Sequence, residues 1–170
     1  MDILKLQSEL VEAIKNAEQG LPDEVFSFVA SVTPMVNVDL LIQDEQQRVL
    51  LAWRNDGKNC GWHIPGGIIR FKETFAQRLH KTAIKELKTD ITFDDVPIKI
   101  TEIFMPYQRR GHFISFLYKC YLPQNYEIDN SCKEPNEDGY LKWHNVPPKL
   151  VDGQKCYESF LKNLKNRTSR

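Results

Sequence analysis

The 170-residue sequence predicts an α/β (α+β) fold, a mixed β-sheet sandwiched between α-helices. Three observations carry this expectation. Strand-like and helix-like segments interleave too irregularly for a doubly wound parallel sheet. Several short apolar runs alternate with period two, bounded by turn residues. At least three further segments carry apolar residues at spacings of three and four.

Taken in order, residues 2–19 read as an amphipathic helix through Leu6, Leu10, Ile14 and Ala17, stopped by Gly20 and Pro22. Pro22 suits the first turn of a second helix, with Asp23 and Glu24 near its positive end and Val25, Phe26, Phe28 and Val29 as its apolar face. That helix ends before Pro34. Val36, Val38, Leu40 and Ile42 alternate as a strand, "DEQQ" turns, and "RVLLAWR" is expected as the antiparallel neighbour. "NDGKNCG" is a loop and "WHIPGG" a short strand. Thr74 caps the next helix, with Gln77 completing a capping box. Ala76, Leu79, Ala83 and Leu87 form its buried stripe, and Thr82, Lys85 and Glu86 share another face. "VPIKITEIFMPY" and "GHFISFLYKCYL" are strands joined by "QRRG". Residues 123–139 are loop, "YLKWHNV" is a strand or edge segment, and Tyr157, Phe160, Leu161 and Leu164 mark a closing helix. The expected organisation is an N-terminal helical extension over residues 1–20 and one domain over residues 21–170.

Basic and acidic side chains number 23 each. That balance argues against partners held by bulk charge, so neither nucleic acid nor an anionic membrane is expected. No apolar run approaches the roughly 20 residues that span a bilayer, and the start lacks a secretory pattern. Cys60, Cys120, Cys132 and Cys156 are scattered without metal or disulfide spacing. A cytoplasmic protein with reduced thiols is the expectation.

The chemistry concentrates in residues 65–91. Between Gly67 and Thr89 only Glu73 and Glu86 are acidic, among six Lys and Arg. Gly67 to Glu73 has the spacing G-x5-E, and Glu86 follows on the helix. With "WHIPGG" and a preceding strand pair, this resembles the Nudix hydrolase box, G-x5-E-x7-R-E-U-x-E-E-x-G-U. The box Arg position holds Lys81, the following Glu position Thr82, the paired Glu positions Lys85 and Glu86, and the late Gly position Lys88. Keeping only the last helix Glu is similar to the GDP-mannose mannosyl hydrolase branch. "VTPMVNVDLLIQD", "VLLAWR", His112-Phe113 and "YLKW" have counterparts there, so the resemblance covers roughly residues 22–162.

That resemblance implies hydrolysis of a nucleoside-diphosphate sugar by water attack on the anomeric carbon, releasing sugar and nucleoside diphosphate. It implies one divalent ion, Mg²⁺ with Mn²⁺ as the alternative, on the Gly66 carbonyl, Glu86 and Glu137. It also implies Arg54 on the departing diphosphate, and Asp39, His112 and Phe113 near the substrate. Gly67 would shape the turn, with Glu73 orienting the loop and pairing with Lys81. Asp138 stands where the branch has its general-base His, with His112 and His144 as substitutes. Relatives in the branch dimerise, so a homodimer is expected. One cation with few carboxylates suits attack at carbon, where the charge to be stabilised is on the leaving diphosphate. Lys85, beside the ion's position, either repels it modestly or holds a phosphate. His63 and His112 are otherwise read as hydrogen-bonded beside the core, and Trp62, Phe71, Phe113 and Trp143 as core, support or a stacking surface. Two other readings stand beside this one: a non-catalytic module that binds a nucleotide sugar or a protein, and a diphosphate-cleaving hydrolase.

Overall fold

A computed structural model describes residues 2–57 and 59–167. Met1, Lys58 and residues 168–170, which fall within the expected extension, loop and domain, lie outside the described residues. The first helix, α1 (Ile3–Ala13), is capped by the Asp2 carboxylate on the Leu4 and Lys5 amides and is shorter than its apolar period predicts. It buries no residue, and Leu6 and Leu10, partly exposed, belong to neither core cluster. In α2 (Asp23–Val32), Val25 and Ala30 are buried while Phe28 is exposed, so only part of the expected face is covered.

The strands form two sheets. The first joins β1 (Met35–Ile42), β4 (Gly66–Ile68), β5 (Thr92–Phe93), β6 (Lys99–Phe104) and β7 (His112–Tyr121). Here β1 runs parallel to β7, Met35 opposite Phe113, and antiparallel to β4. The second is antiparallel, with β2 (Val49–Asn55) between β3 (Cys60–His63) and β8 (Leu141–His144). The expected β1–β2 hairpin therefore does not form: the "DEQQ" turn leaves only a Gln43–Val49 bridge. Both edges of β1 are taken by β4 and β7, which diverts β2 into the other sheet. "WHIPGG" likewise splits at Ile64–Pro65 into two strands of different sheets, as a proline without an N–H donor favours.

Residues 38–42 of β1 are buried on both faces. Val38, Leu40 and Ile42 meet α3 (Phe75–Leu87) through Leu79, Ala83 and Leu87. Leu41 faces a second cluster with Leu51, Leu117, Tyr157 and Leu161, built by a 3₁₀ turn (Asp152–Tyr157) and α4 (Glu158–Arg167). The sandwich of sheet between helices is as the sequence predicts. Ala76, placed on the buried stripe by its spacing, is exposed at the first turn of α3. The capping box of Thr74 and Gln77 is present, with bonds of 2.9 and 3.2 Å. Cys60, Cys120, Cys132 and Cys156 are free thiols.

Candidate active site

The turn before α3 is locked by one carboxylate. Glu73 accepts from the Arg70 amide (3.0 Å) and from Arg78 Nε (2.7 Å), and Lys81 Nζ lies 3.0 Å from its other oxygen. Burial alone would raise this carboxyl, but the Arg70 amide, Lys81 and Arg78 together hold it below the ordinary range. The Lys81 pairing is as the sequence predicts, whereas the Arg78 pairing has no counterpart in the sequence pattern. The signal for Arg78 was three-dimensional: its stem lies against Gly67.

The two glycines are required by close packing. A Cβ on Gly67 would come within 2.6 Å of Thr82 Oγ1 and 2.9 Å of Arg78 Cδ. One on Gly66 would overlap the Asp39 carboxylate and stand 2.9 Å from the Val38 carbonyl. β4 thus threads between α3 and β1 with no room for a methyl group.

Asp39 is buried in β1, opposite Gly66 in the register. It accepts from the Ser115 hydroxyl, from Asn37 Nδ2 (3.1 Å) and from Gln154 Nε2 (3.1 Å). Burial pushes its carboxyl up to about 6, although Ser115, Tyr157, Asn37 and the nearby His63 favour the ionised form. Gln154 also bonds both the amide (2.6 Å) and the carbonyl (3.1 Å) of Ile64, tying the 3₁₀ turn to the "IPGG" loop.

Glu86 stands one turn beyond Thr82 on α3. Its Oε2 is buried without a hydrogen-bond partner and lies 3.6 Å from Nε2 of the buried His63. Thr82 Oγ1, under Gly67, is likewise unpartnered. A buried carboxylate oxygen left bare is costly in isolation. Among the described residues no group of three His, Cys, Asp or Glu side chains is arranged to hold a metal. The unpartnered Glu86 carboxylate oxygen on the cavity wall is the kind of donor that a hard cation takes together with ligand oxygens and water.

Gly66, Gly67, Glu86, Asp39, Lys85 and Arg54 open onto one cavity of about 940 Å³. Phe113 lines it too, and so do Phe26, from the expected helix face, and Arg110, from the expected "QRRG" turn. Ala17 and Gly20, assigned by sequence to the extension, lie on its wall. Glu137, Asp138 and His112 are not brought into this wall. Glu137 caps its own turn at the Glu134 amide (3.0 Å), Asp138 accepts from the Asn55 amide (2.8 Å), and His112 Nε2 lies 3.1 Å from Glu102 Oε1. His144 packs on the Trp62 ring, and burial together with Lys142 lowers it to about 4. Trp143 packs at the margin of the α3 core, and Phe71 is exposed at the cavity rim.

A sandwich of this topology, with a glycine turn against a helix that carries a bare buried carboxylate, has relatives. The sequence pattern of the NUDIX domain matches residues 33–161, and the chain belongs to the NUDIX family. Members act on nucleoside-diphosphate compounds and generally use a divalent metal such as Mg²⁺. A 75-residue stretch, 44% of this chain, is 35% identical to the low-salt glycan biosynthesis protein Agl8 of Haloferax volcanii. The match spans about half of that relative, 47% of its length. Among solved structures, a UDP-X diphosphatase superposes over 98% of this chain and 79% of its own, at a TM-score of 0.58 and 16% identity. The MutT protein of Methanosarcina mazei superposes over 82% and 99% respectively, at 0.57 and 15%. At these identities the structural likeness concerns the fold alone. No helix among the described residues is long and apolar enough to cross a membrane.

Proposed function

We propose that this NUDIX protein hydrolyses a nucleoside-diphosphate sugar by attack of water at the anomeric carbon, releasing the sugar and a nucleoside diphosphate. One observation carries the reading: the buried Glu86 Oε2, which has no hydrogen-bond partner, lines the same cavity as Gly66, Gly67 and Arg54. Glu86 and the Gly66 carbonyl would hold one Mg²⁺ or Mn²⁺, which when bound offsets the charge that develops on the departing diphosphate. A lone carboxylate on α3 suits this task better than the activation of water for attack at phosphorus, for which Thr82 and Lys85 provide no ligand.

The remaining work falls to the chain's own groups. Arg54 grips diphosphate oxygens with its planar fork. Gly66 and Gly67 let β4 pack against Asp39, Thr82 and Arg78, which sets the backbone of the turn on the cavity wall. Asp138 and His112 are committed outside the cavity wall, so we assign proton acceptance to Asp39. Its proton affinity, raised to about 6, is closer to neutrality than that of an exposed carboxylate. The glycan-biosynthesis role in the name of the Haloferax volcanii relative agrees with a sugar-nucleotide substrate. A homodimer in the cytoplasm remains part of this proposal.

The test is a panel of GDP-sugars, UDP-sugars and ADP-ribose incubated with Mg²⁺ in ¹⁸O-water and followed by NMR. Label in the released sugar is the expected result. Label in phosphate would mean diphosphate cleavage, and tight binding without turnover a non-catalytic module.

A further inference from the structure

Arg110 occupies the turn between β6 and β7, and its guanidinium is held from two directions. Its Cζ lies 5.1 Å from the ring centroid of Phe26 and 5.7 Å from that of Phe113. One ring comes from α2, the other from β7, and all three residues line the cavity of Glu86 and Arg54. Contact with aromatic rings fixes the guanidinium while leaving its N–H groups free to donate. None of the ion pairs among the described residues involves Arg110 or Arg54. Burial, and then the charge of Arg54, hold Arg110 below the usual guanidinium range, with Asp56 acting against them.

Two cations facing one concave space repel each other in the free protein. An oxyanion between them relieves that repulsion and supplies acceptors for both forks. Neither aromatic contact would be needed to keep an ordinary surface arginine in solution.

We propose that Arg110 is a second diphosphate-gripping residue, acting with Arg54 on the nucleotide and braced for that role by Phe26 and Phe113. The inference rests on the reading of the cavity as a nucleoside-diphosphate site. It adds that α2, which precedes the matched NUDIX region at residues 33–161, shapes ligand affinity through Phe26. Arg110 grips the ground state and the product alike, so its loss weakens binding more than it slows chemistry.

The experiment is calorimetric titration of the full chain with inorganic pyrophosphate, GDP and UDP, alongside steady-state kinetics on the sugar nucleotide that the panel identifies. Arg110→Ala and Arg110→Gln are expected to weaken pyrophosphate and nucleoside diphosphate binding about 10- to 100-fold, the range for losing charge-assisted hydrogen bonds. KM should rise in parallel, with kcat within about threefold. Arg110→Lys should recover only a minor part, because the fork is lost. Phe26→Leu should weaken binding a few-fold and Phe26→Tyr should restore it. Unfolding curves matching the parent would confirm that the variants fold. Binding by Arg110→Ala and Arg110→Gln within twofold of the parent would overturn the inference. If the parent binds these anions but turns over no sugar nucleotide, the hydrolase reading fails while the Kd values still judge Arg110. A parent that binds none of the three at millimolar concentration overturns both.

Discussion

Glu86 and Asp39 are the two carboxylates on the cavity wall, and each makes a distinct prediction. Glu86→Gln keeps shape and removes charge, so Mg²⁺-dependent turnover should fall by on the order of 100-fold or more. Mn²⁺ affinity, read by electron paramagnetic resonance, should fall with it. For Asp39, folding raises the carboxyl to about 6. The native state therefore keeps a proton that the unfolded chain releases between about pH 4 and 6. Stability from this group is full below that window, falls as pH rises through it, and is flat above. The loss is on the order of 3 kcal/mol. Asp39→Asn should thus gain on the parent as pH rises from 4.5 to 7, measured by denaturant unfolding in EDTA. A constant difference between the two proteins would count against the buried charge. The identity of these residues was legible in sequence, since Asp39 interrupts an alternating strand and Glu86 sits at a fixed spacing from Gly67. The whereabouts of Glu137, Asp138 and His112 were not. Their positions depend on loops and edge strands whose local partners, the Glu134 and Asn55 amides and Glu102, lie outside any periodic pattern. Arg110 was hidden for the same reason, as nothing in "QRRG" announces that Phe26 and Phe113 close on it.

Among the elements, α3 was the most legible, because a capping box and a run of i, i+4 apolar residues are local signals. Its end is unusual: Lys88 adopts a left-handed conformation at φ 59° and returns its ammonium to the Lys85 carbonyl at 2.9 Å. Glycine meets that conformation without steric cost. Lys88→Gly should stabilise the fold by up to about 1 kcal/mol, seen as a small rise in Tm. Gly67→Ala should do the opposite. The added methyl group meets Thr82 and Arg78, at a cost of about 1–3 kcal/mol, and it displaces β4 from α3. Pairing between β1 and β2 was misread since a short polar turn between two apolar runs signals a hairpin wherever both strands have free edges. Here β4 and β7 had already claimed β1.

At the scale of the whole molecule, the two halves of the sandwich do not depend on α1. Since α1 buries nothing, removing residues 1–13 should change unfolding free energy by less than about 0.5 kcal/mol. Light scattering on the same truncated protein would show whether the exposed Leu4, Leu6 and Val11 hold the proposed dimer together. The general layout was readable because strand and helix periods survive in any context. The division into two sheets was not, as it is decided by long-range competition for edges. That competition also bears on how the chain reaches its native state. The central parallel ladder aligns Met35 with Phe113, so the β7-facing edge of β1 must wait for a stretch far along the polymer, whereas its other edge pairs with the nearer β4. Closing so long a loop is slow. In a pulse-labelling experiment, the amide protons on the edge shared by β1 and β7 should become shielded together and late, after those of α3.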